Sequence, residues 1–500
     1  MFIVATAAAC AGGGPTAPSK PAPIPQAPDT TPPTVRREFR GQWVATVGNI
    51  DWPSRSTLTA DQQKTELLSL LDKASAAGMN AVIFHVRPAA DAVYRSAIEP
   101  WGSMLTGTQG GDPGYDPLEF AVQEAHRRGL ELHAWVNPFR AGNSKDSLAL
   151  APTHAFNTQR GMVRVYGTQL WLDPGDPAVQ DRVMRVLTDI VQRYDVDGVH
   201  MDDYFYPYQQ KDAQGRTIDF PDSATYAASG STLARDDWRR SNSDRFVERA
   251  NRELHAVKPW IRFGVSPFGI WRPNNPPGIS GLDAYATLYA DSRKWLQEGW
   301  LDYLAPQLYW AIDPPAQSFP ALLDWWMAQS AKGRYVWPGL ATYRLYEGTT
   351  PWGVSEIVNQ VKLVRQRAAG NGMLFYNATT TLSRNGGEVA AALAANVLSD
   401  FAVSPAYPWL DAQSPAAPAI TVAAGSGGAV TVTLAPAAGE PVRWWVIRWF
   451  GGAGWQSQRI WGDTRSVTLT APNDGTVSRV MVQAADRAWN LSPVVEWRKP

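Results

Sequence analysis

The sequence predicts an α/β fold, a (β/α)8 TIM barrel, followed by a small all-β sandwich of the immunoglobulin or fibronectin III type. Three observations carry that expectation. Eight apolar runs alternate with amphipathic stretches between residues 39 and 398, and strand–helix repeats of that number suit such a barrel. Several amphipathic stretches stop at a glycine, as at Gly78, Gly129 and Gly299, where a left-handed C-cap is expected. Beyond about residue 415 the helical period ends and short alternating runs set in, the pattern of antiparallel strands. A doubly wound sheet is the alternative. No glycine-rich phosphate loop follows the first run, which argues against it.

The elements follow in order. Residues 1–10 form a short apolar run of small residues ending at Cys10. They read as a signal and lipobox-like segment with Cys10 as the lipidation site, although no Lys or Arg precedes the run. Residues 11–36 are rich in Pro, Ala and Thr and read as an extended spacer. Residues 37–410 are assigned to the barrel, with strands expected at 39–47, 80–88, 131–139, 197–205, 262–271, 301–310, 335–343 and 372–379. Helices are expected at 60–77, 117–128, 177–194, 237–257, 284–298, 320–331, 354–369 and 388–398. Residues 414–500 are assigned to the sandwich.

Composition narrows function. Lys+Arg 46 against Asp+Glu 46 leaves no net charge, so nothing draws the chain to nucleic acid phosphates. A single cysteine rules out an intrachain disulfide and a zinc ribbon. Trp 23, Tyr 17 and Phe 15 supply many flat faces with polar handles, on which sugar rings stack.

In a barrel of this kind the active site gathers at the carboxyl ends of the strands. The fourth run ends His200-Met201-Asp202-Asp203-Tyr204. By strand alternation His200, Asp202 and Tyr204 share a face, with Asp203 opposite unless the strand has already ended. Asp202 is the leading catalytic candidate and Asp203 its partner or orienter. Glycoside hydrolysis usually uses two carboxyls, and Asp203, Asp91, Glu99 and Glu347 all lie on rim loops as a second. The other strand ends offer Trp43, His85, Arg87, Trp135, Asn137, Arg140, Trp271, Gln307, Tyr309, Trp310 and Asn377, and Trp101 lies on a nearby loop. His85, His133 and His200 fall on consecutive runs, yet packing within the barrel explains them better than a metal. No metal and no cofactor are expected.

Several of these segments together resemble one family. Phe39-Arg40-Gly41-Gln42-Trp43-Val44-Ala45-Thr46-Val47, His85-Val86-Arg87-Pro88-Ala89-Ala90-Asp91-Ala92, Glu99-Pro100-Trp101, His133-Ala134-Trp135-Val136-Asn137-Pro138, Asp197-Gly198-Val199-His200-Met201-Asp202-Asp203-Tyr204-Phe205-Tyr206-Pro207-Tyr208 and Gly264-Val265-Ser266-Pro267-Phe268-Gly269-Ile270-Trp271 look like the glycosyl-hydrolase-10-like family, over about residues 38–400. The resemblance implies a barrel glycosidase on secreted or lipid-anchored bacterial proteins, some of which act on peptidoglycan glycan strands. The fourth run is also similar to that of chitinases but carries Tyr204 where their catalytic Glu stands, which speaks against a chitinase-type mechanism.

The expectation is therefore a cell-envelope glycoside hydrolase, anchored to the membrane through Cys10 and acting on peptidoglycan glycan strands by carboxylate acid/base catalysis. Asp202, Asp203 and Asp91 are its catalytic candidates. Arg87, Trp101, Trp135, Asn137, Arg140, His200, Tyr204, Trp271, Gln307, Tyr309, Trp310 and Asn377 are its candidate glycan contacts, with the arginines suited to an acidic sugar. The rival is a non-catalytic glycan-binding envelope lipoprotein. A metal-dependent deacetylase is a third option.

Overall fold

The computed structural model describes residues 30–500, apart from 349, 368, 440, 453 and 474. Cys10 and most of the proline-rich spacer lie outside the described residues. Phe39–Val44 (β1), Ala81–Arg87 (β2), Glu131–Val136 (β3), Gly198–Met201 (β4), Arg262–Val265 (β5), Tyr303–Leu304 (β6), Tyr335–Val336 (β7), Gly339–Ala341 (β8) and Gly372–Tyr376 (β9) form one parallel sheet. Its order is β7-β6-β5-β4-β3-β2-β1-β9-β8. Five steps separate β1 from β6, about 24 Å in a flat sheet. Yet the rings of Phe39 on β1 and Tyr303 on β6 lie 6.0 Å apart. The sheet is therefore strongly curved, with its inner face turned upon itself.

The two outermost strands, β7 and β8, are halves of one short segment. On one side Trp337 N donates to Leu304 O at 2.9 Å and Gly339 N to Pro306 O at 2.8 Å; on the other, Leu374 N donates to Pro338 O at 3.0 Å. Pro338 has no N–H to give and divides the segment.

Helices cover the outer face. Ala60–Ala76 (α1) opens on a capping box between Thr59 and Gln62. Pro117–Arg127 (α2) and Pro177–Arg193 (α3) each begin with proline after a capping aspartate, Asp116 and Asp176. Gly78 and Gly129 follow their helices with φ of 82° and 70°, as the sequence predicts. The expected helix at 284–298 is broken into Ala284–Thr287 and Ser292–Gln297, because Tyr289 between them takes φ 53°. The strands are shorter than the apolar runs: of 197–205 only Gly198–Met201 is laddered. Of the residues after it, Asp203 and Phe205 are buried, and Asp202 and Tyr204 are half-buried in the rim. One element escapes the sequence pattern altogether, an antiparallel sheet of Arg140–Asn143, Gln169–Leu172 and Val163–Tyr166 beyond β3.

The C-terminal residues form two separate antiparallel sheets. One holds Ala419–Ala424, Val430–Ala435 and Ser466–Leu469. The other runs in the order Gly454–Trp461, Trp444–Gly451, Val477–Ala485, Val495–Arg498. Trp445, Ile447, Val480 and Val482 pack between them. The architecture is thus an α/β fold with a large, strongly curved parallel sheet and small antiparallel sheets beside it. Among the described residues no helix is long and apolar enough to cross a membrane.

The four-stranded sheet caps the amino-terminal end of the parallel strands. Trp444 and Trp489 join Phe39, Tyr303 and Trp337 in one buried cluster. Around it Arg443 reaches Asp195 at 2.6 Å and Asp197 at 2.5 Å, and Asp197 also bonds His126 at 2.9 Å. Burial alone would raise the Asp197 carboxyl, but Arg443 and His126 hold it well below its ordinary value. Among the described residues Arg459 pairs with no carboxylate; it is held by backbone carbonyls, among them Gly129 O at 3.1 Å and Met79 O at 2.9 Å. Burial lowers it to about 9.

Candidate active site

At the opposite end the strands open into a cavity of about 310 Å³, the small end of the range for ligand pockets. β4 ends at Met201, so strand alternation no longer separates the next two residues, and Asp202 and Asp203 both line it. The Asp203 amide donates to Asp202 Oδ1 at 3.2 Å. Gln307, beyond β6, donates to the same oxygen at 3.2 Å. The Tyr208 hydroxyl donates to Asp203 Oδ2. Asp202 is partly buried and Asp203 is 5% exposed.

Burial, then the charge of Asp203, pushes the Asp202 carboxyl well above its ordinary value. Burial also raises Asp203, although the Tyr208 hydroxyl draws it back down. Two adjacent buried carboxyls cannot both ionise cheaply. The pair therefore keeps one proton to higher pH than a free carboxylate would, on Asp202, while Asp203 carries the charge that Tyr208 solvates.

The walls are aromatic. Trp43 comes from β1, Trp135 from β3 and Tyr376 from β9, with Tyr204 and Tyr309 on the rim. Tyr309 and Tyr376 lie nearly parallel, 6.0 Å apart. Trp135 stacks on His85 at 3.9 Å. Both ring nitrogens of His85 and Nε1 of Trp135 are buried and, among the described residues, have no hydrogen-bond partner, although both residues line the cavity. Burial, then the Arg140 charge, keeps the His85 ring neutral. Arg140 itself lines the cavity and, among the described residues, its guanidinium makes no hydrogen bond or ion pair.

Beneath the floor runs an ordered chain of polar groups. Trp43 Nε1 donates to His200 Nε2 at 3.1 Å. An indole can only donate, so the proton of the neutral His200 ring sits on Nδ1 and points to the Tyr303 hydroxyl at 3.0 Å. Tyr303 is then left to donate to His133 Nδ1 at 2.9 Å. His133 Nε2 reaches Glu131 at 3.4 Å, whose other oxygen accepts from Trp489 at 2.5 Å. Gly198 and Gly264 make room for these rings: a Cβ on Gly264 would lie 2.2 Å from the Tyr303 ring, and one on Gly198 would lie 2.5 Å from His133. His200 is thus a structural hub under Trp43, with both nitrogens consumed, and not a wall of the cavity.

Of the predicted site residues, Asp202, Asp203, Trp135, Arg140, Tyr204, Gln307 and Tyr309 come together here. Others do not. Asp91 is 3% exposed and turned into its own loop, accepting from the Ala89 amide at 2.9 Å and from Gln109 at 3.3 Å. Burial raises it to about 6. Arg87 is fully buried, paired with Glu99 through contacts of 2.7 and 2.6 Å, so it has no arm left for a sugar acid. Asn137 sits behind Tyr204, donating to its hydroxyl at 3.3 Å. Asn377 lies outside the cavity walls and turns its Oδ1 to Thr380, accepting from that hydroxyl at 2.9 Å. Trp271 donates to Asp291 at 3.0 Å and lies beside Trp325. Trp310 packs edge-on against Phe268, and Trp101 bridges to Ala92. These three tryptophans stand on the rim but outside the cavity walls. Trp43, His85, Tyr208, Ser266 and Tyr376 are walls that were not singled out as glycan contacts, although all but Tyr208 stand at or near strand ends.

Comparison with known proteins identifies the family. Residues 38–350 match the family described as glycosyl hydrolase-like 10. The chain is 41% identical over 397 residues to glycosyl hydrolase YngK of Bacillus subtilis (strain 168), covering 77% of this chain and 76% of that one. It is 36% identical over 366 residues to glycosyl hydrolase DigH of Escherichia coli (strain K12), covering 67% and 82%. The glycoside hydrolase domain of PgaB (BpsB) from Bordetella bronchiseptica superposes with a TM-score of 0.50 at 13% identity, over 73% of this chain and 99% of that one, a likeness of fold alone.

Proposed function

The chain belongs to the glycosyl hydrolase-like 10 family and is a glycoside hydrolase, and from that premise we propose that it cleaves the glycan strands of peptidoglycan, with Asp202 as acid and then base and Asp203 as its charged partner. The binding-only alternative falls with that membership. The observation that carries the substrate is the unpaired Arg140 in the wall of a cavity that also holds the two carboxyls. An arginine left without a counter-ion suits a carboxylate on the ligand. Of the two sugars in a peptidoglycan strand, N-acetylmuramic acid bears one on its lactyl ether. The aromatic walls suit the sugar ring.

The wider architecture fits the same reading. Hydrogen bonding of residues 335–341 on both flanks supports a closed (β/α)8 ring over residues 37–410. Strand orders of three and four support a fibronectin III-like module over 414–500. Cys10 would carry the lipid and the proline-rich segment would hold the enzyme off the membrane. Release of acylated protein by detergent, and its loss in Cys10→Ala, tests the anchor.

The experiment that tests the substrate offers purified enzyme peptide-free peptidoglycan strands and, in parallel, neutral polysaccharides such as xylan and cellulose. New reducing ends should appear only with the strands, and Arg140→Gln should raise KM on them by about 10-fold or more. Cleavage of the neutral polymers alone would refute the proposal.

A further inference from the structure

Resting on that reading, we propose that cleavage is substrate-assisted: the 2-acetamido group of the sugar bound in the cavity is the nucleophile, so the enzyme requires an N-acetylated hexosamine on the non-reducing side of the bond it breaks.

The argument is one of placement. A two-carboxylate glycosidase holds its acid and its nucleophile or base on opposite faces of the sugar, about 5 Å apart for retention and ~6.5–9.5 Å apart for inversion. Among the described residues lining the cavity, Asp202 and Asp203 are the only carboxylates. They are consecutive, on one lip, and joined by the hydrogen bond from the Asp203 amide to Asp202. They cannot flank a ring. Across the sheet, three and four places along the ladder from β4, the wall is Trp43 and Tyr376; neither carries a carboxylate, and burial pushes the Tyr376 phenol above its ordinary value, so it keeps its proton. Glu99 is locked to Arg87, and Glu347 is exposed outside the walls. The missing nucleophile must then come with the substrate. An acetamido carbonyl oxygen at C2 can reach C1 by closing a five-membered ring, and its methyl suits an aromatic wall.

Each carboxyl then has a distinct task. Asp202, the more open of the two, gives its proton to the glycosidic oxygen as the C1–O bond breaks. The acetamido oxygen bonds C1 from the other face. Asp203, ionised and steadied by Tyr208, accepts the amide N–H proton, leaving a neutral oxazoline. Water next attacks C1 as Asp202 takes back a proton from it. The oxazoline C1–O bond breaks, and Asp203 returns its proton to the nitrogen. One water is consumed, one glycosidic bond is cleaved, and configuration is retained. Tyr204 in the place of a chitinase glutamate is no obstacle, because the acid here is Asp202 itself.

The test uses peptide-free peptidoglycan strands that are N-deacetylated and then re-acylated, one batch with acetyl and one with trifluoroacetyl groups. The fluorinated carbonyl is a far poorer nucleophile at similar size and charge. The expected result is a fall in kcat of about 10³-fold on the trifluoroacetyl strands, with the product first released in the retained anomeric form by proton NMR. A rate within about threefold of the acetyl strands, an inverted product, or a glycosyl ester trapped on Glu347 would each overturn the mechanism while leaving the substrate reading intact. Glu347→Gln should turn over normally. No cleavage of either batch would overturn both.

Discussion

The indole N–H of Trp43 donates to Nε2 of His200 at 3.1 Å, and that single bond sets the direction of every proton beneath the cavity. It forces the His200 proton onto Nδ1, toward Tyr303, and so turns the Tyr303 hydroxyl toward His133. Trp43, a wall of the cavity, is oriented from below through His200, Tyr303 and His133, which do not line it. Tyr303→Phe leaves two buried histidine nitrogens unpaired. It should cost about 2–4 kcal/mol of stability, read as a lower urea midpoint, while kcat falls less than about 10-fold.

Tyr208 bears on the charge of the pair. Its hydroxyl holds the Asp203 carboxylate down against burial. In the proposed mechanism Asp203 works ionised, so activity should be lost as pH falls through its pKa. Asp202 works protonated, so activity should be lost as pH rises through its own. Tyr208→Phe removes a donor to the charged form and should move the acid limb of the kcat/KM profile to higher pH. An unmoved or lowered acid limb would remove Asp203 from the charged role.

Asp91 is expected to be a loop residue and not a catalytic one. Asp91→Asn should keep kcat/KM within about threefold of wild type. Its carboxyl is raised from 3.8 to about 6 in the fold, so the folded state binds more protons than the unfolded one between those values. Stability from this group is therefore greatest in acid and falls as pH rises from about 4 to 6, by about 3 kcal/mol. The variant lacks that slope, and denaturant midpoints at pH 4 and pH 7 check it.

Arg443 and Asp197 tie the four-stranded antiparallel sheet to the foot of the parallel strands. Arg443→Met strands a buried carboxylate and should destabilise by about 3–5 kcal/mol, measured by urea unfolding. Asp197 is depressed in the fold. The advantage of wild type is thus fully present above about pH 4 and is lost as pH falls below it. A second substitution, Asp197→Asn, should recover part of the loss.

Much of this was legible in the residues, and the gaps have physical causes. The strand–helix rhythm and the glycine caps are local signals, and they locate the parallel sheet. Asp202 and Asp203 stand out because acids at a strand end are costly unless they work. Arg87 misleads because Glu99, which neutralises it, is brought back by a loop that no periodicity describes. Trp101, Trp271 and Trp310 mislead for a related reason: a rim dense in aromatics does not say which loops fold inward. The buried row from Trp43 to Glu131 joins β1, β4, β6 and β3, and only a curved sheet brings them to one axis.

The central claim is that Asp202 donates and then accepts the proton of bond cleavage, and one measurement meets it directly: reducing ends released from peptide-free peptidoglycan strands by wild type and by Asp202→Asn, both shown folded by circular dichroism and thermal unfolding. The account predicts kcat lower by about 10²–10⁴-fold in the variant, with KM little changed. A folded Asp202→Asn enzyme that keeps wild-type turnover would contradict it.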